Sequence, residues 1–512
     1  MTIAITGITG NMGQATLEQL KHAPHVDKIK LLCHSKKRMK KLLKRHKDLR
    51  PKIELVEGGM SDRNAVAKLI DGAAIVINMA AVIPPRSDRD PKAAIACNDA
   101  GVKVLVEETE RITSDQPALI HISSIAVYGN RSGAHPFARV GDPLLASPLD
   151  VYSATKMRGE FYVLESKIAK WAVLRQSAML HPQMLADNIH DGLMFHTAFD
   201  SPLEWVTAHD SGVLIRNIVE RFAQNTVPEK FWKRCHNIAG GKTNRNYGIT
   251  SFDDGFFIIG GKTVDFFRPG DNATRNFHGV WFLDGDELND MFAFQSQTTD
   301  DYWKEVFRAH PVFKLGKAVP KRVIGYFMFK RLYKDRNAPH YWAKHRDDAR
   351  LTAYFGGRDN YEKLQRMQWK DFPTPDRDGI AARTDNDTPV YYGFDYAKPD
   401  GELTTADLAA VADAHGGKLI GEFDGDMYKK LEWITQDGES FTASAYTVLR
   451  AGHWYNPLYT EFVWDFDRLA KKDKVFASIW YDTHGADENI TYSLDERFNA
   501  HADKFSQAVN EP

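Results

Sequence analysis

Along the first half of the chain, short apolar runs take turns with stretches whose apolar residues recur at helical spacing. Thr2 to Ile5 is an apolar run that ends in glycines, and Asn11 to Lys21 follows as a helix. Lys28 to Cys33 reads as a second strand, Ile53 to Val56 as a third, Ala74 to Asn78 as a fourth and Ala118 to Ile122 as a fifth. Between them Ala65 to Ile70 and Lys92 to Arg111 are helical, and Trp171 to Arg175 adds another strand. Strands alternating with helices predict βαβ crossovers and a parallel sheet covered on both faces. The expected fold class is therefore α/β, a doubly wound parallel sheet. In such a sheet the ligand binds at the carboxyl ends of the strands, so candidate chemistry is sought there.

A length of 512 residues leaves room for two or three domains. With 43% hydrophobic and 26% charged residues, the chain is soluble and globular in composition. The net charge of −1 creates no overall field that would recruit nucleic acid or an anionic membrane, so neither is an expected partner. Three cysteines (Cys33, Cys97, Cys235) in no paired spacing argue against a disulfide framework or a cysteine zinc site. The chain opens directly on its first strand, and no uncharged apolar run approaches the roughly 18 to 20 residues of a membrane span. A cytoplasmic protein with a small-molecule substrate is expected, with a homodimer as the candidate assembly.

Thr6-Gly7-Ile8-Thr9-Gly10-Asn11-Met12-Gly13 lies between the first strand and the first helix. Gly7 permits a tight turn, Gly10 lets backbone N–H groups approach a pyrophosphate, and Gly13 allows close helix–strand packing. The residues Gly7, Thr9, Gly10, Asn11, Met12 and Gly13 are therefore candidate dinucleotide-binding positions. At the end of the second strand, where a carboxylate often binds the ribose 2′-hydroxyl, stand His34, Ser35, Lys36, Lys37 and Arg38. Cations there suit a 2′-phosphate, so NADP(H) is favoured over NAD(H). The plainer reading is a solvated basic helix face with Met39, Leu42 and Leu43 turned inward, and both readings can hold together.

Ser123-Ser124 follows the fifth strand, and Tyr152-Ser153-Ala154-Thr155-Lys156 belongs to a helix further on. A separation of four places Tyr152 and Lys156 on one helix face. An ammonium beside a phenol favours the phenolate and lowers the tyrosine pKa, while a serine hydroxyl can hold a substrate oxygen. Ser124, Tyr152 and Lys156 are the candidate catalytic set.

With these motifs in this order, together with Asn78-Met79-Ala80-Ala81, Asn98 with Gly101, and Ser-Ser-x-x-Val-Tyr-Gly, residues 1 to about 240 resemble the extended short-chain dehydrogenases/reductases, the NAD-dependent epimerase/dehydratase family. The resemblance implies a Rossmann-type domain over 1–240, with a substrate-lobe insertion near 178–205. It implies that Ser124 orients the reacting oxygen, Tyr152 exchanges its proton, and Lys156 binds the nicotinamide ribose and tunes Tyr152. Met79, Ala80 and Ala81 would line the nicotinamide side of the groove, and Asn98 is a structural helix residue. Gly59 stands where the family commonly has an Asp that reads the adenine amine, leaving Met60 or Asp62 to make that contact. Ile125-Ala126 replaces the acidic pair of the family's dehydratases, and Ala178 an Asn of its sugar-nucleotide epimerases. Sugar-nucleotide dehydration is therefore disfavoured.

A smaller substrate-binding lobe is expected over 241–335, and 336–512 is an additional C-terminal α+β region. Met179, Leu180, His181, Met184, Leu193, Met194, Phe195, His196 and Phe199 read either as an apolar substrate lobe with polar handles or as core packing. No zinc-ligand pattern joins His181, His190 and His196 with Asp187 and Asp191, so no metal is expected. Asp300 to Lys334, rich in aromatics and lysines, is expected to pack over the lobe rather than lie on a membrane surface. Asp371 to Thr388 reads as a linker, Leu408 to Ala414 as a helix, and His415 to Ile420 opens a β-rich stretch. Gly452 to Leu458 resembles the tail of a zinc-ribbon repeat with Tyr455 and Leu458 where cysteines would stand. The expected activity is an NAD(P)H-dependent oxidoreductase that interconverts a carbonyl or activated double bond with its reduced form, on an apolar substrate. An epimerase with retained cofactor, or a cofactor-binding scaffold or sensor, are the alternatives.

Overall fold

A computed structural model of the chain describes residues 1–184, 191–375, 379–380, 383, 385, 387, 390–455 and 463–493. Seven strands form one parallel sheet: β1 (Thr2–Thr6), β2 (Lys28–Cys33), β3 (Ile53–Glu57), β4 (Ile75–Asn78), β5 (Ala118–Ser124), β6 (Trp171–Gln176) and β7 (Arg234–Ile238). Their order is β7-β6-β5-β4-β1-β2-β3. Successive connections run outward in opposite directions from β1 and β4, which leaves a crevice at the carboxyl ends of that pair. The helices that matter below are α1 (Asn11–Leu20), α2 (Lys36–Arg45), α3 (Arg63–Ile70), α4 (Gly101–Glu110), α5 (Val151–Leu164) and α6 (Ala208–Ala223).

Two cores cover the sheet, as a doubly wound fold requires. On one face Ile3, Ile5, Leu31 and Ile77 pack under Leu17 of α1 and Leu214 and Ile218 of α6. On the other Ala4, Val76, Leu119 and Val173 meet Val66 of α3, Leu105 of α4 and Val163 of α5. The alternation of Ile3, Ala4 and Ile5 between these cores is the two-residue strand period, with both faces apolar because both are buried. β3 lies at the sheet edge and shows it: Glu54 and Leu55 stay partly or largely exposed.

The helix expected over 92–111 is not continuous. It breaks into a short turn (Pro91–Ala94), a wide π-type turn (Ile95–Ala100) and α4. Such turns carry an extra residue and re-aim a side chain. Here Asn98 accepts from the Val82 N–H at 2.8 Å, donates to the Val82 carbonyl at 2.9 Å, and reaches the Thr155 hydroxyl at 3.2 Å. It ties the segment after β4 to α5.

The C-terminal part rests on this body. Three antiparallel strands, Lys418–Ile420, Lys430–Ile434 and Ser440–Ser444, follow the helix Thr405–Ala414. Trp433 joins the same core as Val163 and Trp171. Beneath it, the buried Glu160–Arg175 ion pair of α5 and β6 is completed from the C-terminal side. Arg175 donates to the Ala451 carbonyl at 2.7 Å, and His453 Nε2 lies 3.1 Å from Glu160. Desolvation opposes the Glu160 charge, but Arg175 and His453 win and hold its carboxyl below the usual range. A buried pair needs its remaining polar atoms satisfied, and the C-terminal backbone does that here.

Candidate active site

One cavity of about 1130 Å³ runs along the carboxyl ends of β1, β4 and β5. Its first end is made of backbone. Gly7 has φ +71°, and a Cβ on it would stand 2.4 Å from the Met79 carbonyl group, so only glycine lets this turn close on the segment after β4. A Cβ on Gly13 would meet Ile8 Cα at 2.5 Å, which makes it the packing glycine. A Cβ on Gly10 would meet nothing nearer than the Gly7 oxygen at 3.4 Å. Gly10 precedes α1 without a side-chain cap, so the first amides of that helix remain for an anion in the cavity. Thr9, Asn11 and Met12 also line this end.

The loop opposite is held from below. Thr6 Oγ1 donates to Asn78 Oδ1 at 2.6 Å and accepts from the Ala80 N–H at 3.1 Å. Asn78 Nδ2 lies 3.0 Å from His121 Nδ1. Burial holds the His121 ring well below its usual pKa, so it is neutral and accepts this bond. Met79, Ala80 and Ala81 are thereby fixed along the cavity wall.

At the far side of the glycine loop the cavity reaches His34, Ser35, Arg38 and Met60. Two expected cofactor contacts stand elsewhere. Lys36 does not line the cavity; its ammonium lies 2.9 Å from Glu57, which pulls its pKa up. Asp62 does not line it either, because its carboxylate caps α3 by accepting from the Ala65 N–H at 3.1 Å. The carboxylate missing from the end of β2 thus arrives on the neighbouring strand, where Glu57 sits in register with Cys33. Of the cations at the end of β2, Arg38 forms no ion pair among the described residues and is the one that lines the cavity. The His34 ring lies 3.6 Å from where a Cβ of Gly59 would stand.

Ser124, Tyr152 and Lys156 all line the middle of the cavity. Asp150 positions their helix by capping α5, accepting from the Ser153 N–H at 2.9 Å. The Ser124 hydroxyl is near enough to the Tyr152 phenol to favour its ionised form. The expected coupling of lysine to phenol is not what holds these groups. Lys156 Nζ donates to the Ile122 carbonyl at 2.6 Å, so the end of β5 captures the ammonium. Burial pushes Lys156 down to about 8 and Tyr152 up to about 12, the latter against the pull of the Ser124 hydroxyl. Near neutral pH Tyr152 is therefore a protonated donor.

Beyond Tyr152 the cavity becomes apolar, walled by Leu180, Leu193, Met194, Phe252, Phe256, Ile258, Ile259 and Phe329. Residues past 335 contribute as well, among them Asn337, Arg350 and Tyr354. His181 and His196 both line the wall; His196 is buried, with Nε2 2.8 Å from the Asn337 carbonyl, and is pushed down to about 4 by burial. Among the described residues no three His, Cys, Asp or Glu side chains gather as a metal site. His190, Asp187 and Leu458 lie outside the described residues.

Sequence reasoning missed Asp88. It lines the same cavity from the segment after β4, and burial with the neighbouring Asp150 carboxylate pushes it up to about 7. The Ser87 hydroxyl, 3.3 Å away, and Arg350 pull the other way. Nothing local marks Asp88 in the sequence, because its neighbours come from residues 150 and 350.

The geometry is that of a Rossmann-type doubly wound sheet, and residues 3–175 match the NAD dependent epimerase/dehydratase family. No curated protein matches the chain. Similar solved structures include the Bordetella bronchiseptica enzyme WbmG in complex with NAD, at 16% identity, covering 62% of this chain and 96% of that one, with a TM-score of 0.46. DesIV, a dTDP-glucose 4,6-dehydratase from Streptomyces venezuelae, is 16% identical, with 61% and 98% covered and a TM-score of 0.46. UDP-glucuronic acid 4-epimerase from Bacillus cereus is 18% identical, with 60% and 100% covered and a TM-score of 0.46.

Proposed function

We propose that this chain is an NAD(P)H-dependent oxidoreductase that interconverts a carbonyl or activated double bond with its reduced form on an apolar substrate. One observation carries the reading: a single cavity has the glycine loop at one end, Ser124 and Tyr152 in its middle, and a phenylalanine- and isoleucine-rich wall at the other. The uncapped start of α1 and the open face of Gly10 fit a pyrophosphate. Met79 to Ala81 would lie beside the nicotinamide, and Lys156 would hold its ribose. A nicotinamide bound there supplies or accepts hydride. Ser124 positions the substrate oxygen, and Tyr152 donates a proton to it during reduction. Most of the wall beyond Tyr152 is apolar, with His181, Asn337 and Arg350 as polar handles, which favours an apolar substrate over a sugar nucleotide.

NADP(H) remains the favoured cofactor, with a change of agent. Arg38, His34 and Ser35 would meet the 2′-phosphate, while Lys36 spends its charge on Glu57. Asp88 supports the activated-double-bond branch, in which a carbon as well as an oxygen needs proton handling near pH 7.

The test is NADPH absorbance with the purified chain, comparing apolar aldehydes, ketones and enones with UDP- and dTDP-sugars. Net NADPH oxidation with the apolar compounds is expected. Conversion of a sugar nucleotide with no net change in cofactor would overturn the reading in favour of an epimerase. Cofactor binding without any turnover would favour a sensor.

A further inference from the structure

The elements that close the apolar end of the cavity have a second, outward face. The 3-10 helix Pro311–Ala318 and the helix Lys321–Leu332 turn Phe313, Phe329 and Leu332 into the cavity. The same two helices leave Val312, Leu315, Val323, Tyr326 and Phe327 between 42% and 75% exposed. The helix Gly248–Phe257 repeats the arrangement: Phe256 lines the cavity, and Phe257 is 64% exposed. These surfaces are continuous, since Lys317 lies 5.1 Å from the Phe257 ring centroid and Lys321 pairs with Asp265 at 2.6 Å. Large apolar side chains clustered in this way mark an interaction site rather than ordinary surface.

The charge around the patch selects its occupant. Residues 311–334 contain seven Lys or Arg and no Asp or Glu, in a chain whose net charge is −1. Lys321 is the one of the seven with an ion-pair partner among the described residues. A second copy of this chain meeting the patch about a twofold axis would set these cations against their own images. An anionic headgroup layer neutralises them, and aromatic and aliphatic tips between basic residues are the composition of in-plane interfacial helices.

We propose that this face docks on an anionic lipid bilayer, and that the apolar end of the cavity receives a membrane-resident substrate of lipid character through it. No helix among the described residues is long and apolar enough to cross a membrane, and docking in the interfacial plane needs none. The substrate clause rests on the oxidoreductase reading; the docking does not.

The test is flotation of the full chain with vesicles of phosphatidylcholine alone and of phosphatidylcholine mixed equally with phosphatidylglycerol, at low and high salt. Binding is expected to the mixed vesicles and to weaken as salt rises. Leu315→Ser with Phe327→Ser should lower that partitioning by at least about tenfold, the effect of withdrawing one large apolar side chain from lipid. Both positions lie outside the cavity, so NADPH affinity should not change and serves as the check on folding. Absence of flotation with the mixed vesicles overturns the proposal, as does undiminished flotation of the double variant. A concentration-dependent dimer that the variant dissolves, without vesicle binding, also overturns it. Turnover of soluble ketones without flotation would remove the docking alone. Flotation without turnover would leave the docking and remove the oxidoreductase reading.

Discussion

At the glycine end the cavity wall is backbone, and Gly7 and Gly13 leave no room for a Cβ. Gly7 tolerates no Cβ against Met79, and the start of α1 offers amides that no side chain can replace. At the apolar end the wall is side chains drawn from stretches as far apart as Leu180, Phe256 and Phe329. Exchanging Ile259 for another aliphatic residue would change volume and little else. One end is built to recognise a fixed chemical group, the other to accept a shape. The proposed reacting groups, Ser124 and Tyr152, line the same cavity.

The largest expected effect isolates those groups from both ends. Tyr152→Phe should cut turnover by roughly two to four orders of magnitude, the range of lost general acid catalysis. NADPH affinity should stay within about twofold of the wild type, since the phenol touches neither pyrophosphate nor 2′-phosphate. A turnover close to wild type would show that the reacting groups lie elsewhere.

A smaller effect separates the cations of the backbone-built end. Arg38→Ala should reduce the preference for NADPH over NADH by about tenfold, the equivalent of one charge-assisted hydrogen bond at an exposed site. Lys36→Ala should change it far less, because that ammonium is held by Glu57. Fluorescence titration of both cofactors against both variants decides between them. A larger effect from Lys36 would mean that its pairing with Glu57 opens when cofactor binds.

The subtlest effect concerns Asp88. With its carboxyl pushed up to about 7 by burial and Asp150, Asp88 is protonated and able to donate below that pH, and ionised above it. For reduction, kcat/KM should fall as pH rises through about 7, and Asp88→Asn should remove that inflection. An unchanged pH profile in the variant would exclude Asp88 from the reaction.

How far the molecule can be read from its sequence follows the same division. Gly7 and Gly13 announce themselves because neither leaves room for a Cβ, Gly10 by its spacing between them, and the strand–helix alternation fixes which strand end they occupy. Ser124, Tyr152 and Lys156 are legible for the same reason, as they sit on elements with strong local pattern. The cations at the end of β2 are only half legible. Composition shows several, but positions 36 and 38 lie about 200° apart around a helix, so they cannot share a face. Arg38 takes the cavity and Lys36 takes Glu57. The π-type turn that aims Asn98 has no apolar period of its own, so the stretch reads as one unbroken helix. The substrate wall is the least legible, because Phe256 lining a cavity and Phe195 filling a core are the same residue in the same surroundings.

The central claim is that the cofactor end and the apolar end serve one reaction. A series of methyl ketones of increasing alkyl length, each followed by NADPH absorbance, tests it most directly. If the wall from Leu180 to Phe329 receives the chain, kcat/KM should rise by about fourfold for each added methylene, the transfer free energy of one buried group, until the cavity is filled. A profile that is flat or falls with alkyl length would contradict the account.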